Sequence, residues 1–316
     1  MRRIGLATIA ATCLLTVGIS GCVRTPTQDP IRVAVLPILD SLPLYVAEAE
    51  GYFDAAGISV ELIRVSSAAE RDQLLQADQA DVVITDLVAL ALANRDRPQL
   101  LAVRYAMVPT PGSAQFRVLA SPSAAARDAL DLAGKQVGVS EGTVIDYVTH
   151  RLLEREGLLP DQIETLAVPR IPDRMALLTG DGLVAATLPE PLGSLALQQG
   201  ARLIVDDTAH ADISCSIYAV RSPVAADRKR AIGALLGAIE RASVDINQDP
   251  TAWDSLLEAN TLLPAPLLGT YRLPTYPASA VPPAAHYLDV VDWLRDSGRL
   301  AVAPAYADIV SREFLP

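Results

Sequence analysis

The segment Asp40-Ser-Leu-Pro-Leu-Tyr-Val-Ala-Glu-Ala-Glu-Gly-Tyr-Phe-Asp-Ala-Ala-Gly-Ile-Ser-Val-Glu61 decides how this chain is read. It follows Ile31-Arg-Val-Ala-Val-Leu-Pro37, whose apolar and β-branched residues predict a strand. Within the segment, Leu42, Tyr45, Val46, Ala49, Phe53 and Ala56 recur at helical spacing and give one apolar face. Gly57 then stands where a helix C-terminus favours a residue free to take positive φ. The segment reads as a turn, a helix, a stop and a second strand, which together with the first strand form a βαβ unit.

The same alternation continues through two thirds of the chain. Apolar runs predict strands at Val33–Leu36, Val60–Val65, Val82–Ile84, Leu100–Val103, Arg117–Ala120, Gln136–Val139, Thr165–Val168, Leu183–Thr187, Arg202–Val205 and Ser216–Val220. Helical stretches lie between many of them, so the expected class is α/β with largely parallel sheets. From Pro223 to Pro316 the pattern is mostly helical and opens with the Ala-rich run Ala225 to Asn247. Trp253 and Trp293 fall in helical segments and are read as core. Pro264–Pro283 reads as an irregular crossing loop. No internal repeat is visible.

The N-terminus carries a separate signal. Arg2 and Arg3 precede an uncharged apolar run from Ile4 to Gly18, which ends in Ile19-Ser-Gly-Cys22. A basic start, a short apolar segment and small residues describe a secretory signal. The run is shorter than the roughly 20 apolar residues a membrane span needs. Its ending resembles a bacterial lipobox, which makes Cys22 the expected lipidated first residue of the mature chain; the other reading is an ordinary signal that contains a Cys. Residues 22–30 read as a polar tether after a signal at 1–21.

The net charge of the 316 residues is −11, and the signal would remove two arginines and no acid. Lys135 and Lys229 are the only lysines. Without clustered cations to neutralise phosphates, nucleic acid is excluded as a partner. Cys13 lies in the signal and Cys22 at its end, so Cys215 has no intramolecular disulfide partner and is read as buried packing.

The Asp40–Glu61 segment, with its Gly51-Tyr-Phe and Gly57-Ile, resembles the opening of the ABC-importer solute-binding proteins for sulfonates, nitrate, taurine and thiamine pyrimidine precursors. Asp81-Val-Val-Ile-Thr-Asp86 resembles that family's segment ending at the cleft. The resemblance implies a two-lobed periplasmic-binding-protein-like (type II) fold with lobe one at 31–115 plus 222–316 and lobe two at 116–221. It further implies a monomeric receptor without a cofactor or enzyme activity. Such a receptor captures a small molecule outside the cytoplasm, is lipid-anchored to the cell membrane, and delivers its ligand to an ABC permease.

Ligands of open α/β sheets gather beyond the carboxyl ends of the strands, near helix N-termini. Four turns qualify: Asp40-Ser41, Thr85-Asp86, Ser140-Glu141-Gly142-Thr143, and Glu190 before Pro191. Asp40, Ser41, Asp86 and Thr143 are equally ordinary N-cap residues. Tyr45, Tyr105 and Tyr147 are the aromatic candidates, able to stack on a ring and hydrogen-bond to it. Asp40, Asp86, Glu141 and Glu190 would oppose an anion. The reading therefore favours a heteroaromatic vitamin or vitamin precursor of the thiamine-pyrimidine or riboflavin type, with a sulfonate, taurine or nitrate as the alternative.

Two enzyme readings compete. Gly138-Val-Ser140-Glu-Gly142 matches G-x-S-x-G between a strand and a helix, as in a hydrolase elbow, with Asp207 and His210 or His286 as partners. Biosynthetic relatives share the fold, but the Cys-rich motif of the pyrimidine-making ones is missing. His150, His210 and His286 show no metal-ligand spacing.

Overall fold

The computed structural model describes residues 29–316. The signal, Cys22 and all but the last two tether residues lie outside them. Ten strands form two five-stranded sheets. The first contains β1 (Ile31–Val35), β2 (Val60–Arg64), β3 (Val82–Asp86), β4 (Leu100–Met107) and β10 (Ser216–Arg221), in the order β2-β1-β3-β10-β4. The second contains β5 (Phe116–Ala120), β6 (Gln136–Val139), β7 (Glu164–Ala167), β8 (Ala185–Pro189) and β9 (Arg202–Asp206), in the order β7-β6-β8-β5-β9. Every strand expected from the sequence is present. The sheets are mixed: β10 runs antiparallel to β3 and β4, and β5 runs antiparallel to β8 and β9. Each sheet with its helices forms one lobe, and the architecture is the two-lobed periplasmic-binding-protein-like fold.

One expected boundary is corrected. The division after Arg221 assigned Ser216–Arg221 to lobe two, but its pairing with β3 and β4 puts it in the first sheet. The chain leaves the first sheet between Met107 and Phe116 and returns between Asp206 and Ser216. β10 is a central strand buried on both faces, so it reads as a continuous apolar run that fits either sheet equally.

The helix starts follow capping chemistry. Ser67, Asp86 and Thr143 accept from the backbone N–H of Glu70, Ala89 and Ile145. The 20-residue helix Lys229–Gln248 lays an apolar face of Ile232, Leu235, Leu236, Ile239 and Ile246 on the first lobe. Arg104, buried on β4, ties the strand to that helix through Glu240 at 2.6 Å. The helix Ala284–Asp296 packs on the helix Leu87–Ala93, and its Asp289 accepts from Tyr147 at 2.5 Å and Arg151 at 3.0 Å in the second lobe. The lobes thus share one continuous core on that side. No helix of the described residues is long and apolar enough to cross a membrane.

Both crossings meet at Asp207. Its buried carboxylate accepts from the backbone N–H of Gln115 at 2.9 Å and Phe116 at 3.2 Å on the outgoing segment. It also accepts from the Ser214 hydroxyl on the returning segment. Burial pushes this carboxyl up to about 6.

Candidate ligand-binding cleft

Asp40 and Glu190 approach from opposite lobes. Asp40 accepts from the Ser216 hydroxyl at the start of β10, and burial pushes its carboxyl up. Glu190 accepts from Arg117 Nε on β5 and from the Tyr271 hydroxyl at 3.2 Å. Arg117 also donates through Nη1 to Asp206 at 2.7 Å. Tyr271, from the C-terminal crossing loop, lies within electrostatic range of Asp40 as well as Glu190. A cleft of about 280 Å³ opens beside this network. It is lined by Arg117, Ser194 and Gln198 of the second lobe, Gly112 and Ser113 of the outgoing segment, and Leu267 and Thr270–Arg272 of the crossing loop.

Sequence reasoning missed Arg117, Asp206, Tyr271 and Arg272. Arg117 had a readable signal: it is the one charge within the otherwise apolar strand Phe116–Ala120. It lessens the repulsion of an anion expected from the four acidic turns, although Glu190 and Asp206 share it. Glu190 is paired with Arg117, and Glu141 is exposed and paired with Arg299 at 3.1 Å. Burial pushes the Asp40 and Asp86 carboxyls up.

The other candidates separate into three groups. Thr85, Asp86, Tyr105 and Tyr147 lie around Cys215 in the core shared by the lobes. Asp86 caps its helix, Tyr147 makes an edge contact with Trp293 at 5.5 Å, and Tyr105 faces His286 Nδ1 at 3.4 Å. Burial pushes the Cys215 thiol far up, as suits the expected packing role. Ser140, Glu141, Gly142 and Thr143 form a tight turn at the lobe edge. The Thr143 hydroxyl donates to the Ser140 carbonyl at 2.6 Å, and Gly142 takes φ +74° and donates to Asp146 at 2.8 Å. This turn docks on Arg299. Ser41 and Tyr45 are structural. Ser41 is buried and donates to the Leu36 carbonyl at 2.9 Å, and Tyr45 is buried in the first-lobe core with Arg64 5.6 Å over its ring.

The placement of Tyr45 predicts a double outcome. Tyr45→Ala destabilises the fold by about 3 kcal/mol, the cost of emptying a buried aromatic site. Tyr45→Phe leaves ligand affinity at the wild-type value. Urea unfolding and calorimetric titration read the two effects, and a large affinity loss in Tyr45→Phe would move the cleft to this helix.

The hydrolase constellation is not assembled. Asp207 is engaged by the two crossings, His210 faces Arg155 and Glu156 at the surface, and His286 faces Tyr105. No hydrogen bond among the described residues joins Ser140 to any of them. No group of three or more metal-ligating side chains stands together among the described residues.

Two lobes, a cleft at the strand ends and polar side chains aimed into it from both sides define a periplasmic-binding-protein-like architecture. The sequence pattern described as NMT1/THI5 like matches residues 39–252, and the chain belongs to that family. The fold is similar to the periplasmic aliphatic sulphonate binding protein SsuA of Escherichia coli, with TM-score 0.75 and 18% identity over 90% of this chain and 92% of that one. It is also similar to the alkanesulfonate-binding protein SsuA of Xanthomonas axonopodis pv. citri bound to MOPS, with TM-score 0.73 and 18% identity over 89% and 98%. The desulfurization enzyme DSZB shares the fold with TM-score 0.65 and 19% identity over 91% and 97%. No curated protein sequence matches.

Proposed function

We propose that this chain is the extracytoplasmic solute-binding receptor of an ABC importer, that it captures a small organic anion of the sulfonate type, and that it acts without chemistry on the ligand. The observation that carries this reading is the cleft between the lobes, where Arg117 and Arg272 stand among the hydroxyls of Ser113, Ser194, Thr270 and Tyr271. Hydroxyls and guanidiniums are donors, and an oxyanion is the ligand that uses several donors at once. The two structurally similar sulfonate-binding proteins support the same class. The lipid anchor at Cys22 completes the proposal by holding the receptor near a membrane permease.

A heteroaromatic vitamin precursor is the second reading, favoured by the Tyr271 ring and the Glu190 acceptor beside it. The DSZB likeness means that fold alone does not separate a binder from an enzyme. The separation of Ser140 from His210, His286 and Asp207 supports the binder.

Native mass spectrometry of the protein with its co-purified ligand tests the class directly. Calorimetric titration with ethanesulfonate, taurine and an aminopyrimidine follows. Micromolar or tighter binding of a sulfonate is expected, and exclusive binding of the pyrimidine would replace the first reading with the second.

A further inference from the structure

The first sheet has two ends, and only one of them meets the cleft. β1 begins after Pro30 and leads to Asp40, which lies in electrostatic range of the cleft residue Tyr271. β10 begins at Ser216, whose hydroxyl donates to Asp40, and runs back to Arg221. Its far end therefore lies with the start of β1, at the base of the lobe. From there the helix Ser222–Asp227 leads into the helix Lys229–Gln248. Their junction is Arg228-Lys229-Arg230, the only run of three cations in the sequence. A concavity of about 530 Å³ opens at this junction, walled by residues 56–58 on one side and 226–231 on the other.

Arg228 and Arg230 are not spent on carboxylates. Arg228 donates to the backbone carbonyls of Asp29 and, at 3.3 Å, Pro30. Arg230 is exposed and forms no ion pair among the described residues. Lys229 is exposed and pairs with Glu313 at 2.6 Å. The opposing acids are Glu313, Asp227 in the same turn, and Asp81, which lies in electrostatic range of Arg228. The chain as a whole carries −11, so an anionic surface repels most of it and attracts it where cations gather. Three cations are far fewer than nucleic acid needs.

The same cations hold the point where the chain enters the fold. Residues 22–28 precede Asp29 and, fully extended, span at most about 25 Å. With a lipid on Cys22, the base of the first lobe is confined to about that distance from the bilayer. Tethering makes contact with the bilayer intramolecular, so a modest attraction is enough to hold it.

We infer that this basic concavity docks on the anionic phospholipid surface of the membrane that anchors the chain, with Arg228, Lys229 and Arg230 against headgroup phosphates. The inference rests on the lipid anchor proposed at Cys22. Docking by the base turns the opposite end of β1, and the cleft with it, towards solution, where solute is captured. Each cation held near an anionic bilayer is worth about five-fold in occupancy.

Quenching of a fluorophore by headgroup-labelled lipid tests this on the lipidated chain in vesicles. The fluorophore is placed on Ala226→Cys in the concavity or, as the control, on Gly112→Cys beside the cleft; the buried Cys215 is left unlabelled. Adding phosphatidylglycerol to phosphatidylcholine vesicles is expected to raise quenching at position 226 by about five-fold or more and to leave position 112 unchanged. High salt is expected to cancel the rise. Arg230→Glu should return it to the value in neutral vesicles without lowering the melting temperature, because that side chain is exposed and unpaired. Quenching at 226 that ignores phosphatidylglycerol, in a chain whose intact mass shows the lipid, would overturn the docking face and leave the anchor standing. A membrane-extracted chain whose mass shows no lipid would overturn the anchor and the docking face together.

Discussion

Replacing Arg117 by Ala is expected to lower the unfolding free energy by about 3–5 kcal/mol and to abolish measurable ligand binding. The stability loss follows from what remains. Glu190 and Asp206, whose side chains are 5% and 12% exposed, would face each other without the cation between them. Removing one partner of a buried ion pair strands the other charge in a medium that does not solvate it. The binding loss follows from position, because Arg117 lines the cleft and holds Glu190 against Tyr271. Urea unfolding reads the first effect and calorimetry the second. A variant that unfolds like wild type would mean that the three charges are solvated and the cleft is wider than described.

The second large effect is a pH dependence centred on Asp207. Its folded value of about 6 lies above the ordinary carboxylate value of 3.8, so the folded chain holds this proton more tightly than the unfolded chain. The group therefore favours folding fully below about pH 4, and that contribution is lost as pH rises through about 6, by about 3 kcal/mol in all. Asp206, joined to Arg117, is the nearest other charge, and the remaining partners are the neutral donors of Gln115, Phe116 and Ser214. Asp207→Asn removes the titration. The stability difference between wild type and Asp207→Asn should fall by about 2 kcal/mol between pH 4 and pH 6 and level off above about pH 7, because all other groups cancel in the difference. Chemical denaturation at four pH values measures it, and a constant difference would show that the carboxyl is not desolvated.

The fold was more legible than the site. All ten strands followed from apolar runs, and the first βαβ unit from one helical face and one Gly. The return crossing was misplaced because a strand buried on both faces carries no mark of which sheet it joins. Tyr45 and Tyr147 are hard to place from sequence for a related reason. A Tyr in the first turns of a helix can point into a cleft or into a core, and only the neighbouring elements decide. Tyr271 reaches Glu190 and Asp206 reaches Arg117 from distant parts of the chain, which no local pattern records.

The antiparallel strand in each sheet has a consequence for how the chain is made. In the first sheet β4 has no strand neighbour except β10, which follows the whole second lobe in sequence. During vectorial synthesis, at about 5–20 residues per second, β4 therefore waits without a strand partner while β5 to β9 emerge. The second sheet is built from one uninterrupted stretch and can close first. The first lobe finishes only when β10 arrives and inserts between β3 and β4, a long-range step of the kind that slows folding. A ribosome-bound chain ending before Ser216 should therefore present a folded second lobe beside an unfinished first one.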